Sequence, residues 1–250
     1  GPGISGIWGG TFHHMANRIL RRHAALLGYT SDYTILDRDD AVSLVKGAVK
    51  ELRLTDREFP RSEVLLSLFS AATNTEMPIA GVVEKRFKDS LVSCDDVVRV
   101  YELYREQKKK AGAMDFDDLL VKCLQLFREQ PQVLARYQEQ FQHILVDEYQ
   151  DTNTIQAQLV DRLAEKGRNV LVVGDDFQSI YSWRGADYRN IMSFPRRYPD
   201  ARTYKLETNY RSVPEILEVA NACIAGNPDQ FQKTLRATRE RHHKPVVARL

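Results

Sequence analysis

Cysteine is scarce: Cys94, Cys123 and Cys223 are the three in 250 residues, far apart and in no C-x-x-C pair. That excludes a disulfide-stapled scaffold and a cysteine zinc site, and it fits a reducing, cytoplasmic setting. Long apolar runs are absent too, and no signal peptide is visible, so no membrane partner is expected. Charge of one sign is also lacking. The 36 Lys and Arg against 34 Asp and Glu leave +2, so bulk electrostatics neither demand nor exclude nucleic acid. His13 and His14 have no partner at metal-ligand spacing, which rules out a zinc site there. There is no internal repeat. The chain opens Gly1-Pro2-Gly3 rather than with methionine, which reads as a piece excised from a longer protein.

What is present is an α/β pattern with a helical interruption. A glycine-broken strand is expected within Ile4–Phe12, then a helix from Met15 to Leu27 stopped by Gly28. From Asp37 to Ala111 the apolar spacing is almost entirely helical, with Asp39 or Asp40 as one cap and helices over Arg61–Ala72 and Asp95–Lys110. Lys108–Lys110 reads as a solvated helix end, with a phosphate contact as the alternative. Helices over Asp115–Phe127 and from Pro131 come next. Strand Ile144–Val146, helix Thr154–Glu165 ended by Gly167, and strand Val170–Val173 then make a βαβ unit. A strand at Thr203–Leu206, a helix at Pro214–Ile224 and a strand begun at Val246 complete the pattern.

The chemistry gathers at the two βαβ strand ends. Ile144-Leu145-Val146 runs straight into Asp147 and Glu148, and Val170–Val173 runs into Gly174-Asp175-Asp176 with Gln178 beyond. Ligands of open α/β sheets bind at such carboxyl ends. Two adjacent acids there can divide the work of a nucleotide hydrolase, one holding Mg²⁺ and one handling the attacking water; alone, such a pair is as often a helix cap. Gln150 and Asp151 add polar groups at the same place. Gln178 can orient water or sense a γ-phosphate, or be an ordinary loop residue. Tyr181 and Trp183, with Arg184 beside them, suit stacking on single-stranded bases; a buried core tryptophan is the competing reading. Arg211, beside Tyr210 in a turn, can reach a γ-phosphate across a domain boundary or make a surface salt bridge.

Taken in order, GTFHHMANRILRR, AMDFDDLL, LVDEYQDTN, VVGDDFQSIYSWRGAD and LETNYRSVPEIL resemble the UvrD/Rep/PcrA family of superfamily-one DNA helicases. The resemblance implies a 3′ to 5′ motor of two RecA-like cores, ATP between them, single-stranded DNA across their top and a helical insert in each. It implies a partial RecA-like parallel sheet with helices on both faces, residues 1–32 and 112–200 forming the first core, 33–111 its insert and 201–250 the start of the second core. By position, Asp147 would hold Mg²⁺ through water and Glu148 would be the general base. Gln178 would contact the γ-phosphate, Tyr210 would stack on adenine with Gln150 as a further nucleotide contact, and Arg211 would be the γ-phosphate arginine. Phe12, His13, Tyr181, Trp183 and Arg184 would meet DNA, including single/double-strand junctions. Asp117 and Asp118 fall in a packing and DNA-side motif.

The departures are as informative. No G-x-x-x-x-G-K-[ST] phosphate cradle occurs in the 250 residues, and the adenine-reading glutamine motif and two late motifs are missing. His14 stands where the family usually has serine. The chain alone is therefore expected to be a poor or inactive ATPase, as part of an ATP-dependent helicase active in DNA repair or replication. The alternatives are a non-catalytic single-strand-binding module, or part of a helicase–nuclease subunit of the RecB/AddA type. A sheet with an uncovered edge could also pair two copies.

Overall fold

The computed structural model describes residues 6–54, 59–88 and 92–246. Helix α1 (Phe12–His23) starts where the Thr11 hydroxyl accepts from the His14 amide at 3.2 Å, and three basic residues sit at its negative end. A 3-10 turn, Ala24–Leu27, comes next and stops at Gly28, whose φ of 74° suits glycine. The expected strand near the start does not form: residues 6–11 are irregular and Phe12 is already helical, while residues 4 and 5 lie outside the described set.

Strand β1 (Thr34–Ile35) leads into α2 (Arg38–Glu51), α3 (Ser62–Thr75), α4 (Ile79–Arg86) and α5 (Cys94–Lys110), and β2 (Ala113–Met114) returns parallel to β1. The cap of α2 is Asp37, neither Asp39 nor Asp40, because the capping residue must be the extended one before the first turn. These helices bury a cluster of their own, built on Val45, Leu65, Phe69, Val97, Val100 and Tyr104. The short α4 had no clear signature in the sequence.

Helix α6 (Phe116–Glu129) carries a capping box between Asp115 and Asp118, and α7 (Pro131–Gln140) starts on its proline. The main core joins α1, α6 and α7 through Leu20, Leu120, Phe127 and Tyr137, with Met114 and Ile155. Strand β3 (Ile144–Val146), helix α8 (Thr154–Ala164) and strand β4 (Val170–Val172) form the expected βαβ unit, with Ile144, Leu145 and Val146 paired to Val170, Leu171 and Val172. Short helices α9 (Arg189–Met192) and α10 (Phe194–Arg197) then pack Ile191 and Phe194 with Val146, Val160 and Ala164. On the alternate positions Leu145 and Leu171 stay 72% and 54% exposed.

Strand β5 (Thr208–Asn209), α11 (Pro214–Ile224) and β6 (Arg236–Ala237) close the described chain. Thr203–Leu206 is not a strand: pairing begins only at Thr208, where β6 offers a partner, and Tyr204 and Leu206 stand 76% and 84% exposed. Residues 247–250 of the expected last strand lie outside the described set. The architecture is α/β with parallel strands, in three pairs rather than one continuous sheet among the described residues. Among the described residues no helix is long and apolar enough to cross a membrane.

The expectation of a solvated helix end at Lys108–Lys110 holds for Lys109 and Lys110, which are exposed, and fails at Lys108. Lys108 is not a solvated helix end but 5% exposed, its ammonium 2.5 Å from Asp115 and 2.6 Å from Asp118. The last turn of α5 faces the start of α6, so the charge can enter only with carboxylates to meet it.

Candidate active site

Strand β3 ends at Val146, so Asp147 and Glu148 emerge exposed at its carboxyl end, above a cleft of about 580 Å³ that Phe12, His13 and Thr152 also line. Glu148 is left-handed, with φ 50° and ψ 44°. Holding a non-glycine residue there costs about 1–3 kcal/mol and is commonest where function over-determines the backbone. The turn lets Tyr149 drop into the core, edge-on to Phe194 at 5.7 Å, with Arg197 donating to its hydroxyl at 2.9 Å.

Gln150 ties the two strand ends together. It is 1% exposed; its Nε2 donates to Glu148 Oε2 at 2.8 Å and its Oε1 accepts from the Asp175 amide at 3.0 Å. Gly174 makes room for this: a Cβ there would lie 2.5 Å from Gln150 Oε1 and 2.7 Å from Ile191 Cδ1. Asp175 in turn accepts from Gln178 Nε2 at 2.8 Å and from the Phe177 amide at 3.1 Å. Burial pushes the Asp175 carboxyl up, but hydrogen bonds from Lys233 and Gln178 outweigh it and hold the group below its ordinary value. Asp151 goes the other way, raised by burial and by the charge of Glu148, and its Oδ1 is buried without a hydrogen-bond partner among the described residues.

Beyond Gln178 the chain projects its aromatics. Trp183 is 72% exposed and Tyr181 38%, their rings 6.4 Å apart, so the buried-core reading of Trp183 fails. The loop is anchored from behind, where the Asp187 amide and the Asn190 side chain donate to Thr152 O at 3.0 and 2.9 Å. Gly185, at φ +87°, presses against Asn74 of α3; a Cβ would come within 3.1 Å of the Asn74 Cβ. Asn74 also donates to Asp117 Oδ1 at 3.1 Å and accepts from Asn153 at 2.6 Å, joining α3 to α6 and α8. The side chain of Arg184 lies outside what the structure describes.

Phe12 and His13 are half-buried at the start of α1, on the cleft; His13 stands edge-on to Phe116 at 6.0 Å, and burial lowers its pKa. Tyr210 and Arg211 are exposed in a turn after β5, held by Asn209 Oδ1 accepting from the Arg211 and Ser212 amides at 2.9 and 2.7 Å. The bonds that join Glu148, Gln150, Asp175 and Gln178 do not include them. Sequence reasoning missed Lys233, Asn74 and the strut role of Gln150. Asn74 and Gln150 carry no local signal, whereas Lys233 opens a basic run that reads as a tail.

The exposed acids after β3 offer magnesium a carboxylate rather than a cage of protein ligands: among the described residues no three acids, cysteines or histidines cluster into one. Mg²⁺ commonly binds through one carboxylate, waters and substrate phosphates, and the exposed Asp147 carboxylate can take that part.

Residues 1–199 match the UvrD/REP helicase N-terminal domain. The chain is 45% identical over 238 residues to the ATP-dependent DNA helicase PcrA of Bacillus subtilis (strain 168), covering 94% of this chain and 31% of that protein. Against PcrA of Leuconostoc citreum it is 40% identical over 231 residues, covering 92% of this chain and 30% of the relative. Against PcrA of Staphylococcus aureus (strain Mu50 / ATCC 700699) it is 42% identical over 230 residues, covering 92% and 31%. The chain thus spans about a third of the length of these curated relatives, and it belongs to the UvrD/REP helicase family.

Proposed function

We propose that this chain is part of an ATP-dependent 3′ to 5′ DNA helicase that binds single-stranded DNA and single/double-strand junctions in the cytoplasm. The observation that carries the reading is the junction of β3 and β4. It sets the acid pair beside the Asp175–Gln178 loop through the buried Gln150 and leads directly into an exposed aromatic loop.

In this reading Glu148 accepts the proton of the attacking water and Gln178 contacts the γ-phosphate of ATP, so that hydrolysis and the Tyr181–Trp183 loop share one short segment. Mg²⁺, held through water on Asp147, would neutralise phosphate charge. Tyr210 and Arg211 contribute adenine stacking and a γ-phosphate contact, Gln150 supports the nucleotide side, and Phe12, His13 and Arg184 line the DNA path. Residues 1–32 and 112–200 act as the first core, 33–111 as its insert and 201–250 as the start of the second. The chain alone, without a phosphate cradle, turns over ATP poorly or not at all. Self-association through the uncovered edge of the incomplete sheet would appear as a concentration-dependent solution mass; a constant monomer overturns it.

The test is fluorescence anisotropy with a labelled oligothymidylate. Binding is expected to weaken with salt, and Trp183→Ala to lose about 1–3 kcal/mol, roughly 5- to 150-fold in Kd. Salt-insensitive binding, or full affinity in Trp183→Ala, refutes the DNA role. In the complete helicase carrying this sequence, Glu148→Gln should abolish DNA-stimulated ATP turnover while leaving DNA affinity intact.

A further inference from the structure

Lys233 lies far along the chain, between α11 and β6, yet it closes onto the loop after β4. Its side chain is 12% exposed and its ammonium ion-pairs with Asp175 and, at 3.1 Å, with Asp176. The same ammonium stands 4.0 Å from the centre of the Phe177 ring. Two residues earlier the Phe231 amide donates to Asp176 Oδ2 at 2.9 Å, so backbone and side chain of this segment grip the same pair of acids. Asp175 is the hub: one oxygen meets Lys233 and the Phe177 amide, the other accepts from the Gln178 side-chain amide at 2.8 Å. Its own backbone amide leads through Gln150 to the Glu148 carboxylate.

We propose that Lys233 is a positioning residue of the hydrolytic site: held by the C-terminal segment, it fixes Asp175, and through Asp175 it sets the orientation of Gln178 and the seat of Glu148. This rests on the roles proposed for Glu148 and Gln178 in hydrolysis. A nearly buried lysine between two acids would be satisfied by either alone. What distinguishes this one is that its partner also bonds the catalytic-loop glutamine, so that losing the ammonium frees Asp175 to turn and Gln178 to move with it. The segment that supplies Lys233 lies beyond the 1–199 stretch matched to the helicase N-terminal domain, which makes the contact a mechanical link between that domain and the segment C-terminal to it.

The experiment uses the complete helicase carrying this sequence, with Lys233→Met, Lys233→Arg and Glu148→Gln measured side by side for DNA-stimulated ATP turnover. Lys233→Met is expected to lower kcat by up to about 100-fold, the scale of a misplaced catalytic group, with KM for ATP and Kd for oligothymidylate little changed. Lys233→Arg, which keeps the charge, should recover most of the loss. Should Lys233→Met fail to fold, Lys233→Gln removes the charge while placing a shorter, polar side chain among the acids, and the same kcat loss is expected. A normal kcat in the charge-removing variant beside an inactive Glu148→Gln overturns the role of Lys233 and leaves the site reading standing. Full turnover in Glu148→Gln overturns the site reading itself. Equal losses in kcat and DNA affinity without rescue by arginine mark Lys233 as merely structural and also overturn the proposal.

Discussion

Replacing Lys108 by Met should be among the most damaging single changes outside the acid site. The ammonium is the cation between Asp115 and Asp118, at 2.5 and 2.6 Å, and Tyr104 donates to the same Asp115 oxygen at 2.6 Å. Burial disfavours the lysine charge, yet the two carboxylates outweigh it and raise its pKa. Methionine fills the space but leaves two buried carboxylates without a cation, and removing one member of such a group costs about 3–5 kcal/mol. Asp115 also caps α6 through the Asp118 amide at 2.8 Å, so its displacement reaches the core helix. Against a typical total of about 5–15 kcal/mol the loss is large. Urea denaturation at pH 7 reads it directly. The Asp115 carboxyl is burdened by burial but held below its ordinary 3.8 by Lys108, so the wild-type advantage is present above that value and lost as pH falls through the lowered one. The gap between the two proteins should therefore narrow on acidification. A loss under about 1 kcal/mol at pH 7, the range of an exposed pair, or a gap unchanged by pH refutes the reasoning.

Three further outcomes are expected at neighbouring contacts. Asp117 is raised by burial and then, despite hydrogen bonds from Ser70 and Asn74, by the nearby Asp115; its ionisation opposes folding at neutral pH. Asp117→Asn should raise the urea midpoint at pH 7, with the gain vanishing as pH falls toward 3.8, and a lower midpoint at pH 7 would count against this. Gly174→Ala drives a methyl into Gln150 and Ile191 and should cost about 1–3 kcal/mol, read by thermal melting. Arg197→Lys loses a fork that holds Asp161, the Tyr149 hydroxyl and Asn190 O together; a loss of about 1–3 kcal/mol is expected in the same melt, and an unchanged midpoint would show the fork to be dispensable.

The βαβ unit was legible because its two signals are local: apolar runs of three or four residues and a helix of 3.6 periodicity between them. Helices α3, α5, α6, α7 and α11 were legible for the same reason, to within a few residues at their ends. What misled was any element that exists only by pairing. Thr203–Leu206 has strand-like composition but no partner among the described residues, while Thr208–Asn209 and Thr34–Ile35 are strands because β6 and β2 come to meet them. Lys108 misled in the same way, since its carboxylate partners lie across a turn, beyond the reach of helical spacing.

The sequence by itself determined the family, the α/β class, the acid pair after β3 and the aromatic loop after Gln178, because each is a contiguous string whose chemistry travels with it. Only the tertiary structure decided that Trp183 faces solvent, that Gln150 is a strut and that Lys233 closes on Asp175. Burial and hydrogen-bond partnership belong to segments distant along the chain, and the closing contact spans 58 residues. A lysine at a helix end and a lysine in a basic tail look alike until the chain folds each against the acids that need it.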